Sequence, residues 1–114
     1  MNPNKVGIDL VELKDIEKQI NNLRFINKIL SEKELQIFNS FKLEKRKIEF
    51  LAGRFAAKEA LFKADNQKKR YREISILISD NGAPYVDGEE DISISITHTA
   101  TQALSIVIIA KRPQ

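Results

Sequence analysis

From Glu44 to about Ala64 the chain has no proline and is rich in alanine, leucine, lysine and glutamate, so one long helix is expected there. A helix of that length spans roughly 30 Å, the width of a small domain. The whole chain has 114 residues, the size of one compact domain with one hydrophobic core, and residues 1–114 read as a single unit without repeat or linker. Everything else must therefore be arranged around this rod. Its apolar stripe reads Ile48, Leu51, Phe55 and Phe62.

The segments on either side have different periods. Val6, Ile8 and Leu10 alternate as in a strand, which points Gly7 and Asp9 to the opposite face. Leu13, Ile16, Ile20 and Leu23 follow at helical spacing, with Asn21-Asn22 ending that helix and Phe25 to Leu30 forming a short further turn. Ser31-Glu32-Lys33-Glu34 has the form of a capping box and predicts a helix carrying Leu35, Phe38 and Phe41. After the long helix the pattern turns to strands. Ile74, Ile76 and Ile78 alternate, Asp80-Asn81-Gly82 supplies a turn, and Pro84-Tyr85-Val86 reads as a return strand. A second turn at Asp87-Gly88 precedes Ile92, Ile94 and Ile96, with His98 in phase. Ala103 to Ala110 is continuously apolar, as expected of a strand buried on both faces. Helices gathered early and strands gathered late predict an α+β fold.

Composition narrows the chemistry. There is no cysteine, which excludes disulfides, thiolate zinc sites and cysteine nucleophiles. The single histidine, His98, excludes a multi-histidine metal site within one chain, leaving carboxylates for a hard, oxygen-preferring cation. The longest apolar stretch, Ile106 to Ala110, is too short to span a bilayer, and Met1 to Lys5 lacks the layout of a signal peptide. A net charge of +3, from 19 basic and 16 acidic residues, hints at an anionic partner without naming it.

Ala52, Ala56, Glu59 and Lys63 fall in one row of the long helix. Two alanines ahead of a glutamate make a low surface that lets another backbone or a ligand come close. Taken alone, Glu59 and Lys63 read first as an ordinary solvated i,i+4 ion pair. Asp9 lies between Ile8 and Leu10, where a carboxylate is disfavoured unless it is paired, binds a metal or faces water from an edge strand. If Asp9 and Glu59 met, they would form the two-carboxylate platform that Mg²⁺ uses beside phosphate oxygens; spacing alone does not show that they do. Lys42, Lys45, Arg46 and Lys47 lead into the long helix, and Lys68, Lys69, Arg70 and Arg72 follow it. Such runs are solvated faces or phosphate sites, and arginines such as Arg46 and Arg54 can fork onto phosphate oxygens. Aromatic residues are not interleaved as base-stacking surfaces require, so nucleic acid is not an expected partner, nor is a membrane.

Gly7-Ile8-Asp9-Leu10-Val11-Glu12-Leu13 resembles the G-(I/L/T)-D-(I/L)-V-E-(I/L) opening of bacterial holo-acyl-carrier-protein synthases, small 4′-phosphopantetheinyl transferases. Phe50-Leu51-Ala52-Gly53-Arg54-Phe55-Ala56-Ala57-Lys58-Glu59-Ala60 resembles the family's second signature, F-x-A-x-R-(F/W)-A-x-K-E-A. Asn81-Gly82-Ala83-Pro84-Tyr85 resembles its G-x-P turn, and Ile94-Ser95-Ile96-Thr97-His98-Thr99 its late strand ending in (S/T)-H. The motifs stand in order from about Lys5 to Ile109.

The resemblance implies early helices packed on an antiparallel sheet, a homotrimer with sites at subunit interfaces, and a cytoplasmic enzyme. The implied reaction moves the phosphopantetheine arm of coenzyme A to a serine of acyl carrier protein and releases 3′,5′-ADP. By family position Asp9 and Glu59 are Mg²⁺ ligands, Lys63 contacts the phosphates, and Glu59 or a water beside the ion is the base. Lys45, Arg46 and Arg54 lie where the family binds coenzyme A phosphates, and Pro84 and His98 lie near the nucleotide; His98 reads equally as a core histidine. Lys14, Lys18, Arg24 and Lys28, with Phe25 and Ile26 as apolar contacts, would dock the acidic carrier protein.

The chain departs from the family twice. Asp15 stands where relatives often carry a basic residue, and Ala64-Asp65-Asn66-Gln67-Lys68-Lys69-Arg70 replaces a glycine-rich F-G-T-G-x-G loop. These departures leave room for an alternative: a non-catalytic basic module binding a nucleotide or an acidic protein.

Overall fold

The computed structural model describes residues 4–66 and 69–110. The chain begins with strand β1 (Lys5–Glu12) and short helix α1 (Leu13–Glu17), followed by α2 (Leu23–Ile29), α3 (Glu32–Ser40) and the long α4 (Glu44–Asp65). A 3₁₀ turn at Tyr71–Glu73 leads to β2 (Ile76–Ile78), β3 (Pro84–Val86), β4 (Ile92–His98) and β5 (Gln102–Ile109). The fold is α+β, with helices on an antiparallel sheet.

Local chemistry accounts for most boundaries. Asn22 caps α2 by accepting a hydrogen bond from the Phe25 N–H at 3.2 Å, so Leu23 belongs to this second helix rather than to the helix that starts at Leu13. The capping box forms: Ser31 Oγ accepts from the Glu34 N–H at 3.2 Å, and the Glu34 carboxylate accepts from the Ser31 N–H at 2.8 Å. Helix α4 ends at Asn66, whose φ of 38° is left-handed and whose N–H donates to the Phe62 carbonyl. Asparagine tolerates that conformation better than most residues, so the helix stops here without a glycine. Gln67 and Lys68 lie outside the described residues.

The main sheet has the order β1-β5-β4, all antiparallel, with Asp9 opposite Ser105 and His98 opposite Ala103. The hairpin β2–β3 forms a second, two-stranded sheet. Its turn is the one expected, with Gly82 at φ 87° and Asn81 Oδ1 accepting from the Ala83 N–H at 3.1 Å.

Helix α4 lies on one face of the main sheet. Ala52, Ala56, Ala57 and Ala60 are completely buried there, opposite Val11, Ala103 and Val107 of the strands. The expected apolar stripe is therefore displaced. Leu51 is buried, but Ile48 and Phe55 are half-buried and Phe62 is exposed, because the helix meets the sheet through its alanines. The contact is so close that a Cβ built on Gly7 would stand 1.8 Å from the Ala60 carbonyl oxygen. The other face of the sheet carries Val6, Ile8 and Leu10 from β1 with Ile106 and Ile108 from β5, all more than a third exposed. Strand β5 is thus covered on one face only, contrary to the expectation from its unbroken apolar run. Among the described residues no helix is long and apolar enough to cross a membrane.

Candidate active site

Asp9 sits on the helix-facing side of β1, in line with Gly7, and Glu59 and Lys63 sit near the C-terminal end of α4. Because Gly7 lets the two backbones approach, Lys63 and Asp9 meet. Lys63 Nζ donates to Asp9 Oδ1 at 2.9 Å and to the Ile8 carbonyl at 3.2 Å. Lys63 therefore reaches across to the strand instead of closing an i,i+4 pair with Glu59. Its ammonium is held above the usual lysine range, first by the hydrogen bond and charge of Asp9 and then by the charge of Glu59. Both carboxylates also act on Tyr71. The tyrosine hydroxyl is pushed up chiefly by burial, then by the negative charges of Glu59 and Asp9. Spacing alone does not bring Asp9 and Lys63 together; the fold does. Tyr71 was not singled out in the sequence, since nothing in its local pattern links it to Glu59.

The residues behind the site are fixed by a buried network. Lys58 and Glu34 are fully buried and form an ion pair. Lys58 Nζ also donates to the Ile29 carbonyl at 2.7 Å and the Tyr71 carbonyl at 2.9 Å, and Glu34 Oε2 accepts from the Ile76 N–H at 2.8 Å. Burial pushes the Lys58 ammonium below its ordinary range, against the pull of Glu34. These contacts tie α2, α3, the Tyr71 turn and β2 to the middle of α4.

Arg54 corrects the sequence reading. Its guanidinium points inward, donating from Nε and Nη2 to the Ile76 carbonyl at 3.2 and 3.1 Å and lying 4.1 Å from the centre of the Phe50 ring. At 7% exposure it joins α4 to β2 and offers almost nothing to a phosphate. Ile26 is likewise buried in the core rather than presented to a partner, and Phe25 is half-buried against Phe55.

The remaining predicted residues fall into three groups. Arg24 and Lys28 of α2 line an open groove of about 750 Å³ with Lys69, Arg70, Arg72, Phe62 and Tyr71. Lys14 and Lys45 border another of about 420 Å³, beside Glu49. The exposed His98 faces Glu49 too, with Nδ1 3.8 Å from its carboxylate, so it is not a core histidine. Lys18 is exposed at the end of α1, Arg46 lies over the Phe41 ring at 4.8 Å, and Pro84 is half-buried at the end of the hairpin strand. None of these is brought to Asp9 and Glu59 as Lys63 and Tyr71 are.

Residues 5–108 match the family model of the 4′-phosphopantetheinyl transferase superfamily. The chain belongs to that superfamily. Among curated relatives, a holo-[acyl-carrier-protein] synthase from Geobacillus sp. (strain WCH70) is 45% identical, over 93% of this chain and 95% of the relative. The synthase from Onion yellows phytoplasma is 43% identical over 96% and 95% respectively. Among solved structures, the synthase from Bacillus anthracis in complex with coenzyme A (3′,5′-ADP) superposes with a TM-score of 0.83 at 33% identity, covering 92% of this chain and 94% of that one. The phosphopantetheinyl transferase fold is thus present along almost the whole chain.

Proposed function

We propose that this protein transfers the 4′-phosphopantetheine arm of coenzyme A to a serine of apo-acyl carrier protein, as a Mg²⁺-dependent enzyme of the cytoplasm in which residues 1–114 act as one catalytic domain. The observation that carries the reading is the Lys63 ammonium bonded to Asp9 and acted on by the charge of Glu59 at the contact of β1 with α4, in a chain that matches the superfamily over residues 5–108.

The donor set fits a hard divalent cation. The Lys63 ammonium pairs with Asp9 at 2.9 Å and feels the charge of Glu59 as well, so the site accepts positive charge. Among the described residues no group of three or more acidic or histidine side chains is assembled. Asp9 and Glu59 would hold the cation, and when bound it supplies charge neutralisation to the pyrophosphate.

In the reaction the serine Oγ bonds to the β-phosphorus of coenzyme A, the bond to the bridging oxygen breaks, and 3′,5′-ADP leaves. The serine proton passes to Glu59 or to a water beside it. Negative charge grows on the departing phosphate, where Lys63 is the cation supplied by the chain. As a lysine it is protonated at neutral pH, and Asp9 holds the ammonium in place. Lys14, Lys18, Arg24 and Lys28 present positive charge to an acidic carrier protein, with Phe25 partly exposed among them.

Two features support a trimer that completes its sites between subunits. The uncovered apolar face of Val6, Ile8, Leu10, Ile106 and Ile108 is suited to burial against further copies. Arg46 and Glu59 lie thirteen residues apart on α4, about 20 Å at the rise of a helix. Lys45 and Arg46 of one chain thus stand too far along the rod to join its own Glu59 on one pyrophosphate, whereas a neighbouring copy can bring such residues to the nucleotide.

The test is Asp9→Asn and Glu59→Gln, assayed for transfer and for Mg²⁺ activation. Loss of turnover of a hundredfold or more with carrier-protein binding retained supports the reading. Full activity in both variants contradicts it, and a purely charge-based binder would hold its partner unchanged or more tightly.

A further inference from the structure

Lys58 is fully buried in the middle of α4, next to Glu59 in sequence. An ammonium has three N–H donors, and all three have partners here: the Glu34 carboxylate, the Ile29 carbonyl at 2.7 Å and the Tyr71 carbonyl at 2.9 Å. None is left for a phosphate or a substrate proton, so Lys58 takes no part in the chemistry. Two apolar side chains of similar volume often fill such a space with equal or better stability. What they lack is direction, and the directions of the Lys58 bonds are specific. Ile29 is the last residue of α2, where carbonyls have no partner within the helix, and Lys28 beside it lines the basic groove with Arg24. Tyr71 opens the 3₁₀ turn and lies between Arg70 and Arg72, which supply further cations to the same groove. One buried nitrogen is thus bonded to the backbone beside Lys28 and to the backbone between Arg70 and Arg72. Glu34 keeps that nitrogen in place, because its carboxylate also accepts from the Ser31 N–H and the Ile76 N–H, each at 2.8 Å.

We propose that Lys58 is a positioning residue for carrier-protein docking: its ammonium holds α2 and the Tyr71 turn together, so that Arg24, Lys28, Arg70 and Arg72 present one cationic groove. This rests on the reading of Arg24 and Lys28 as groups that meet the acidic carrier. Lys58 touches no partner; it acts by fixing the two segments that do. Phe62, four residues along α4 from Lys58, is exposed and adds an apolar side chain to the groove. Charges held in one arrangement bind an acidic surface better than the same charges on segments free to move apart, because less freedom is lost on association.

The experiment follows transfer to apo-acyl carrier protein by the full chain, by Arg24→Gln, and by two variants without the buried pair, Lys58→Met with Glu34→Gln and Lys58→Met with Glu34→Leu. Melting temperature is the control for folding. A pair that served stability alone would change the amount of folded enzyme, and so kcat, while leaving KM as it was. The expected result is a KM for the carrier protein about tenfold higher in Arg24→Gln and in the pair variants, with kcat and the KM for coenzyme A changed far less. Amide hydrogen exchange on the unaltered protein adds a measurement that needs no substitution. Glu73 and Ile74, whose N–H groups bond to the Arg70 and Tyr71 carbonyls, should exchange as slowly as the amides of α2. A turn that exchanges like an open loop, or an unchanged carrier KM in a folded pair variant, would overturn the positioning role. If that occurs while Arg24→Gln raises the carrier KM, the docking reading stands and only Lys58 is dismissed. If Arg24→Gln keeps the KM of the unaltered chain, the docking reading fails and the proposal fails with it.

Discussion

Gly7 shows how one residue sets the site. Its missing side chain lets β1 approach α4 until a Cβ would overlap the Ala60 carbonyl oxygen at 1.8 Å and the Ala64 nitrogen at 2.8 Å. Both obstructing atoms are backbone, so no rotamer change relieves them. Gly7→Ala is therefore expected to lower stability by about 3 kcal/mol or more, and to weaken the Lys63–Asp9 contact that depends on the approach. Chemical denaturation measures this, and an unchanged midpoint would contradict the close-packing account. The low alanine surface of α4 was legible in the sequence, whereas its partner strand was not. Arg54 marks the limit of such reading at this scale. Its motif suggested a phosphate ligand, yet the guanidinium is spent on the Ile76 carbonyl and the Phe50 ring. Residue type and spacing do not say whether a long side chain turns inward.

At the scale of elements, Lys58 and Glu34 decide how α2, α3, α4 and the Tyr71 turn fit together. Removing one member of such a pair leaves a buried charge uncompensated, which costs roughly 3–5 kcal/mol. Lys58→Met should therefore destabilise the protein by that amount, and Lys58→Met with Glu34→Gln should recover part of it. Thermal denaturation of the single and double variants checks this, and equal melting temperatures for Lys58→Met and the unaltered chain would contradict it. The capping box at Ser31, the long helix and the β2–β3 turn were legible because each is a local device, complete within a few residues. The Lys58–Glu34 pair was not, because its members lie 24 residues apart on different helices. Strand periodicity was legible in the same limited sense. It placed Val6, Ile8 and Leu10 on one face but could not say that α4 would cover the other, since the helix selects for small residues at close contact and not for the most apolar row.

For the whole molecule, the exposed apolar face of the sheet is the feature one chain leaves unresolved. Val6, Ile8 and Leu10 stand beside Ile108, Ile106 and Leu104 in register, forming a broad surface across two strands. The proposed trimer would bury it and bring the basic start of α4 in one copy toward the carboxylates of another. Sedimentation should give three times the mass of the chain, and Ile106→Glu should give monomers with little transfer activity. A monomeric unaltered chain, or a trimeric Ile106→Glu, would contradict the arrangement. The departure after Ala64 belongs to this scale as well. Asn66 ends the helix in place of a glycine, and Lys69, Arg70 and Arg72 then supply side-chain cations along the groove lined by Arg24 and Lys28.

The central claim is that Asp9, Glu59 and Lys63 form the centre of a phosphopantetheinyl transferase. The direct measurement is the intact mass of an apo-acyl carrier protein after incubation with this protein, coenzyme A and Mg²⁺. The account predicts a gain of one phosphopantetheine, lost when the cation is chelated and lost when the carrier's acceptor serine is replaced. An unchanged carrier mass, with a known synthase active in parallel, would contradict it.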